Sequence, residues 1–149
     1  MTRTSSDLDR FVQAQNAGGT YARALAELRD GHKAGHWMWF VFPQIAGLGH
    51  SPTSRRYAIA SLAEARDYLE HPLLGPRLRE AAGVVVALSV PSAEAVFGAI
   101  DALKLRSSMT LFMRASPHEP LFGELIERYF AGEADPATDE LLAGAGAAG

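Results

Sequence analysis

Asp101, Lys104 and Ser108 recur at i, i+3 and i+7, the spacing that sets side chains along one face of a helix. A carboxylate beside an ammonium there reads first as a surface ion pair, which is worth little. The neighbours argue for more, because Ile100, Leu103, Leu105, Met109, Leu111 and Phe112 make this helix apolar nearly all round. Charges on a helix without a solvated face are paired or point into a cavity. Asp101 is therefore the candidate acid or base, and Lys104 the group that sets its charge state or holds an anion. Ser107 and Ser108 add candidate ligand-binding hydroxyls on the same or adjacent turns.

The second chemical concentration is the stretch GHWMWFVFPQ at 35–44, which places both tryptophans and four large aromatics within six residues of a chain that is 9% aromatic. Burying Trp37, Trp39, Phe40 and Phe42 contributes roughly 1.5–3 kcal/mol each, so a core plug is the favoured reading. Helical geometry cannot turn all four rings the same way, however, and two buried indole N–H groups need partners. One or two rings are thus expected to line a cleft, with Trp37 or Trp39 stacking on a flat ligand and His36, Gln44, Ser51 and Tyr57 orienting it.

Gly47 to Arg56 is a glycine-bearing loop that opens a helix, with Arg55 and Arg56 just inside. Amides, hydroxyls and guanidinium groups in such a place can cradle a phosphate, although a plain turn is the commoner meaning and no nucleotide-binding fingerprint is matched. His32 and His36 have the four-residue spacing of two zinc ligands on a helix, but Gly31 and Gly35 interrupt that helix and no third ligand follows, so no metal is expected. Cysteine is absent, which removes disulfides, thiolate metal sites and a cysteine nucleophile. No serine sits in a nucleophile elbow, and no cofactor is implied.

The chain's 149 residues fit one domain with its own core, and 48% hydrophobic against 21% charged residues is ordinary globular usage. A formal net charge of −3 without a polybasic block makes nucleic acid an unfavoured partner. The longest apolar run, 84–88, is too short for a membrane span. Arg3 is followed by polar residues rather than an apolar stretch, so no signal peptide is expected and a cytoplasmic location fits. Oligomeric state is not legible.

The elements that must position these residues are helices. Ser6 is expected to cap a first helix with Leu8, Phe11, Val12 and Gln15 on one face, ending at 16–19. A second helix spans 20–30 and stops at Gly31. Ser61 and Glu64 form a capping box that opens a helix to Glu70. Helices follow at 74–88, from Ser92 to Gly98, at 99–113, from Pro120 to the residues before Gly132, and from Asp135-Pro136 to Leu142. The class is all-α: a compact single-domain bundle of about six to eight short helices over 7–142, between flexible tails at 1–6 and 143–149. A long irregular, aromatic-rich connection occupies 32–53, broken by a turn or two of helix at 37–42 that Pro43 stops.

The segments HWMWFVFPQIAGLGHS, SRRYAIASLAEARDYLEHPLLGPRL, VFGAIDALKLRSSMTLF and YFAGEADPATDELL resemble, in that order and over nearly the whole chain, the bacterial family catalogued as domain of unknown function 1810, sometimes mislabelled calpastatin. The resemblance implies a wholly helical single domain and brings no activity with it. The chain is also remotely similar to small helical proteins that cleave N-glycosidic bonds in ADP-ribose or riboflavin-pathway metabolites, without a catalytic motif matched residue by residue. The residues thus point to a polar-rimmed aromatic pocket for a small phosphorylated or nucleotide-like metabolite, with hydrolysis as one use of it. The alternative is a non-catalytic protein-interaction module whose aromatic segment is core. The pocket reading depends on whether the Asp101/Lys104 face borders the tryptophan segment.

Overall fold

The computed structural model describes the backbone of residues 3–148 and the side chains of residues 8–144. Helix α1 (Arg3–Asn16) and α2 (Thr20–Arg29) are joined by a tight turn at Ala17–Gly19. Gly18 and Gly19 take left-handed conformations there (φ 58° and 70°), which residues with a Cβ resist. The connection from 32 to 53 contains two short helices, α3 (Met38–Val41) and α4 (Pro52–Arg56). Then come α5 (Leu62–Glu70), α6 (Leu74–Ala87), α7 (Ala93–Ala115), α8 (Pro120–Phe130) and α9 (Pro136–Ala148). The all-α class holds, and among the described residues extended pairing amounts to one isolated parallel bridge between Ile45 and Ile59.

The punctuation expected from sequence is mostly where the backbone turns. Ser61 Oγ accepts from the Glu64 amide at 3.1 Å, and Ser92 Oγ from the Ala95 amide at 3.1 Å. The Glu64 carboxylate reaches one residue beyond the cap, accepting from the Ala60 amide at 2.7 Å. Gly31 (φ 74°) stops α2, and Pro120 sits in the first turn of α8. Gly98 (φ 80°, ψ 166°) is a non-helical residue inside α7, so the helix is two pieces meeting at a bend. Two boundaries differ. Helix α1 is entered at Arg3, which places Ser6 inside the helix rather than at its cap, and α9 continues past Leu142 to Ala148. Of the expected tails at 1–6 and 143–149, the side chains lie outside the described ones except at 143 and 144, which are exposed.

Helix α7 is the hub, packed against α5, α8 and α9. A chain of ring contacts crosses the core through it: Phe11 to Tyr68 (5.2 Å between centroids), Tyr68 to Phe112 (5.4 Å) and Phe112 to Phe122 (6.0 Å). These rings are fully buried, and each brings a large apolar area out of water. A buried polar network interrupts the apolar interior beside α3. Gln15 Nε2 donates to the Phe40 carbonyl at 2.7 Å and to Tyr68 Oη at 3.1 Å, while Arg77 donates to Gln15 Oε1 at 3.2 Å. A buried carbonyl without a donor is costly, so this network fixes where α3 lies against α1 and α6.

Helices α5 and α6 meet so closely that a Cβ on Gly75 would stand 2.1 Å from the Leu69 carbonyl oxygen. Backbone cannot yield as a flexible side chain does, so Gly75→Ala is expected to destabilise the fold by about 2–3 kcal/mol, read as a lowered urea midpoint with an unchanged m-value.

Candidate functional site

Left-handed Gly31 turns the chain out of α2, and Lys33 then donates its amide to the Val96 carbonyl at 2.9 Å. A single oxygen, Glu27 Oε1, next gathers three donors: the Ala34 amide (2.8 Å), the Gly35 amide (2.9 Å) and Trp37 Nε1 (2.9 Å). Burial pushes the Glu27 carboxyl upward, but these hydrogen bonds and the nearby Lys33 charge outweigh it and hold the pKa below the ordinary value.

Trp37 is thereby fixed in the core, 2% exposed, with its ring against Phe42 and Phe97. Trp39, two residues on, is only partly buried. After Pro43 the chain pairs with 58–60, the Ile59 amide donating to the Gln44 carbonyl and the Ala46 amide to the Ile59 carbonyl, each at 2.8 Å. That pairing closes residues 46–57 into a loop carrying α4. Arg10 clamps its far end, donating to the Arg56 and Ala58 carbonyls at 2.7 Å each.

Asp101 stands between two ammonium groups, 2.7 Å from Lys33 Nζ and 3.2 Å from Lys104 Nζ. Lys33 also donates to the Gly35 carbonyl at 2.6 Å and sits 5.1 Å above the Trp37 ring. Lys104 sits 4.2 Å above the Trp39 ring. The Asp101/Lys104 face therefore does border the tryptophan segment, joined to it through Lys33. Burial raises the Asp101 pKa, yet hydrogen bonds and charge from Lys33 and Lys104 bring the balance below the ordinary carboxylate value. Asp101 is a resident anion, already engaged on both sides.

Two adjoining hollows open beside this network. The first, about 190 Å³, is lined by Trp39, Gln44 to Gly49, Ser54, Arg55, Tyr57 and Ala58. The second, about 220 Å³, shares Gln44, Leu48, Gly49 and Ser54 with it and adds Ile100, Leu103, Lys104 and Ser107 from α7. Either alone falls short of the roughly 300–1,000 Å³ of common small-molecule sites, and together they enter that range. Among the lining residues Arg55 and Lys104 carry full charges and none is acidic.

Of the residues singled out from sequence, Trp39, Gln44, Arg55 and Tyr57 line the first hollow, and Gln44, Lys104 and Ser107 the second. Five others stand elsewhere. Trp37 is core. His36 is exposed and borders neither hollow. Ser51 caps α4, its Oγ accepting from the Ser54 amide at 3.1 Å. Ser108 is fully buried with its Oγ unpartnered, on the interior side of α7. Asp101 backs Lys104 without lining either space. The other orphaned buried group among the described side chains is Trp39 Nε1, whereas its neighbour Trp37 has Glu27.

Sequence reasoning missed Glu27 and Lys33, which read as an ordinary helix-face carboxylate and a loop lysine. Leu48, Gly49 and Ser54 were covered only as part of the loop from Gly47 to Arg56 read as a phosphate cradle, without being singled out. The excess of apolar residues around 100–112 was the available signal for Ile100 and Leu103, since one helix face cannot bury them all.

Glu27 and Asp101 yield two expectations. Because the Glu27 pKa is depressed on folding, its contribution is present above the ordinary value of 4.5 and disappears as pH falls through the folded value. Glu27→Ala should cost about 2–3 kcal/mol at pH 7, and the gap from wild type in urea titrations should narrow as the pH falls below 4.5. Asp101→Asn strands Lys33, whose side chain is only 8% exposed. A loss of about 3 kcal/mol is expected, partly recovered in the Lys33→Met/Asp101→Asn double variant.

Among the described residues no group of three or more His, Asp or Glu side chains is arranged to hold a metal ion, and no helix is long and apolar enough to cross a membrane. Comparison with curated proteins gives no match. Among solved structures, the conserved hypothetical protein Rv1873 from Mycobacterium tuberculosis is similar, with 52% identity and a TM-score of 0.89 over 92% of this chain and 96% of that one. The family model described as protein of unknown function (DUF1810) matches residues 5–142. On that match, which takes in every residue of both hollows, the chain belongs to the DUF1810 family.

Proposed function

We propose that the paired hollows bind a small organic anion with a planar ring, of the phosphorylated or nucleotide-like kind, in a protein that works in the cytoplasm. The observation that carries this reading is the lining itself. A partly exposed indole, Trp39, and a phenol, Tyr57, share a concave space with Arg55 and Lys104, and no carboxylate intrudes. Neither the Arg55 guanidinium nor the Gln44 side-chain amide is engaged by another described residue, so both are available to a ligand. Rings supply stacking surface, and cations favour a negative group at the rim.

The same lining supports binding over bond cleavage. Hydrolysis calls for a group that can give or take a proton at the reacting bond, and the nearby carboxylate, Asp101, is held ionised by two lysines behind the wall. Its part is to position Lys104 over Trp39.

The two indole N–H resonances of 15N-labelled protein give the test, with Trp39→Phe assigning them. Titration with a panel of AMP, GMP, FMN and inorganic phosphate should move the Trp39 signal for at least one ring-bearing anion and leave Trp37 in place. Lys104→Met or Arg55→Ala should weaken that ligand roughly tenfold. An unmoved Trp39 resonance across the panel at millimolar ligand would show that the reading is wrong.

A further inference from the structure

Ile100 and Leu103 are the large hydrophobic side chains that stand exposed among the described residues, at 73% and 63%. Scattered singly, such residues carry no message. These two are three apart on α7, on one side of the helix, and both form the wall of the second hollow opposite Leu48. The polar groups on that wall are already occupied. Ser107 Oγ is bonded to the Leu103 carbonyl at 3.1 Å and to Asp135 Oδ2 at 2.9 Å, and Lys104 leans over Trp39 beside Asp101. What the second hollow offers an incoming molecule is an apolar shelf, the Lys104 ammonium and, in the wall shared with the first hollow, the Gln44 amide.

The hollows communicate through Gln44, Leu48, Gly49 and Ser54. A Cβ on Gly49 would lie 2.5 Å from Ser54 Oγ, so a side chain there would push Ser54 out of place within this shared wall. The molecule therefore presents, in order, an aromatic chamber, a cationic junction at Lys104 and an apolar shelf.

We infer that the ligand is an amphipathic organic anion: a planar ring in the first hollow, its negative group near Lys104 and Arg55, and an apolar arm of a few carbons lying across Ile100 and Leu103. This rests on the reading of the hollows as a binding site and adds the third part of the ligand. Ile100 and Leu103 are then specificity-determining residues, rewarding apolar length that the first hollow cannot hold. Removing apolar surface from water on both arm and shelf supplies the preference.

The probes are 2-naphthoate and its 6-butyl derivative, titrated against wild type and Ile100→Ser/Leu103→Ser, with the Trp39 indole resonance and calorimetry as readouts. Both substituted residues are exposed, and an unchanged circular dichroism spectrum and melting temperature establish the fold of the variant. In wild type the butyl arm should tighten binding roughly tenfold or more. In the double variant that advantage should vanish, the two probes binding alike.

An arm that brings nothing in wild type, or an advantage that survives in the variant, overturns the inference and leaves the first hollow standing as a site. If neither naphthoate moves Trp39 while a ring-bearing anion of the nucleotide panel does, the inference is overturned and the first hollow stands; if no anion of either set moves it, the inference falls together with the binding reading. If the double substitution changes the sedimentation coefficient while the arm's advantage persists, the shelf belongs to a protein contact and the inference is again overturned.

Discussion

The carboxylate of Asp101, held between Lys33 and Lys104, is the interaction on which the site depends. Lys33 comes from the turn after α2 and Lys104 from α7, and in the sequence they are far apart. With Lys33 nearly buried, its ammonium is tolerable only because an anion and a backbone carbonyl lie within hydrogen-bond reach. Satisfying that one cation pulls the tryptophan segment against α7. It also leaves Lys104 paired at longer range than Lys33, beside a cavity that has no acid in its lining.

The two tryptophans show how close neighbours part company. Trp37 stands just before α3, with non-helical torsions (φ −115°, ψ 1°), and Trp39 lies within the helix, so the backbone turn between them sends the two rings to different surroundings. Glu27 fixes which of the two goes inward by taking the Trp37 N–H together with two backbone amides. Trp39 is left as the wall of a hollow with its own N–H unpaired. The result combines the two readings of the aromatic stretch: one indole is core, and the other is surface lining.

This division marks the limit of what the residues disclose in one dimension. Helix starts and stops are local events, and Ser61, Ser92, Gly31, Gly98 and Pro120 announce them because capping and left-handed geometry involve only a few adjacent residues. Trp39, Gln44, Arg55, Tyr57, Lys104 and Ser107 were legible as site candidates because aromatic, cationic and hydroxyl side chains concentrate in two short stretches. Glu27 and Lys33 were not, because their meaning arises from partners that only folding brings near. His36 and Ser51 were drawn in by sequence adjacency, which neither the turn before α3 nor the cap of α4 converts into proximity. Asp101 was legible as an ionisable group in an apolar setting, and its two-sided pairing with Lys33 and Lys104 is set by tertiary contact.

The bend at Gly98 reaches further than the shape of α7. A continuous helix from Ala93 would carry Asp101 deep in its interior, where the aligned peptide dipoles contribute little to a side-chain charge. With the helical run interrupted at Gly98, a new run begins at Ala99 and Asp101 falls within its opening turn. The partial positive end of that run lies close to the carboxylate and favours its ionised form. One residue with unusual torsion angles thus gives the anion behind the hollows an electrostatic support that neither lysine provides.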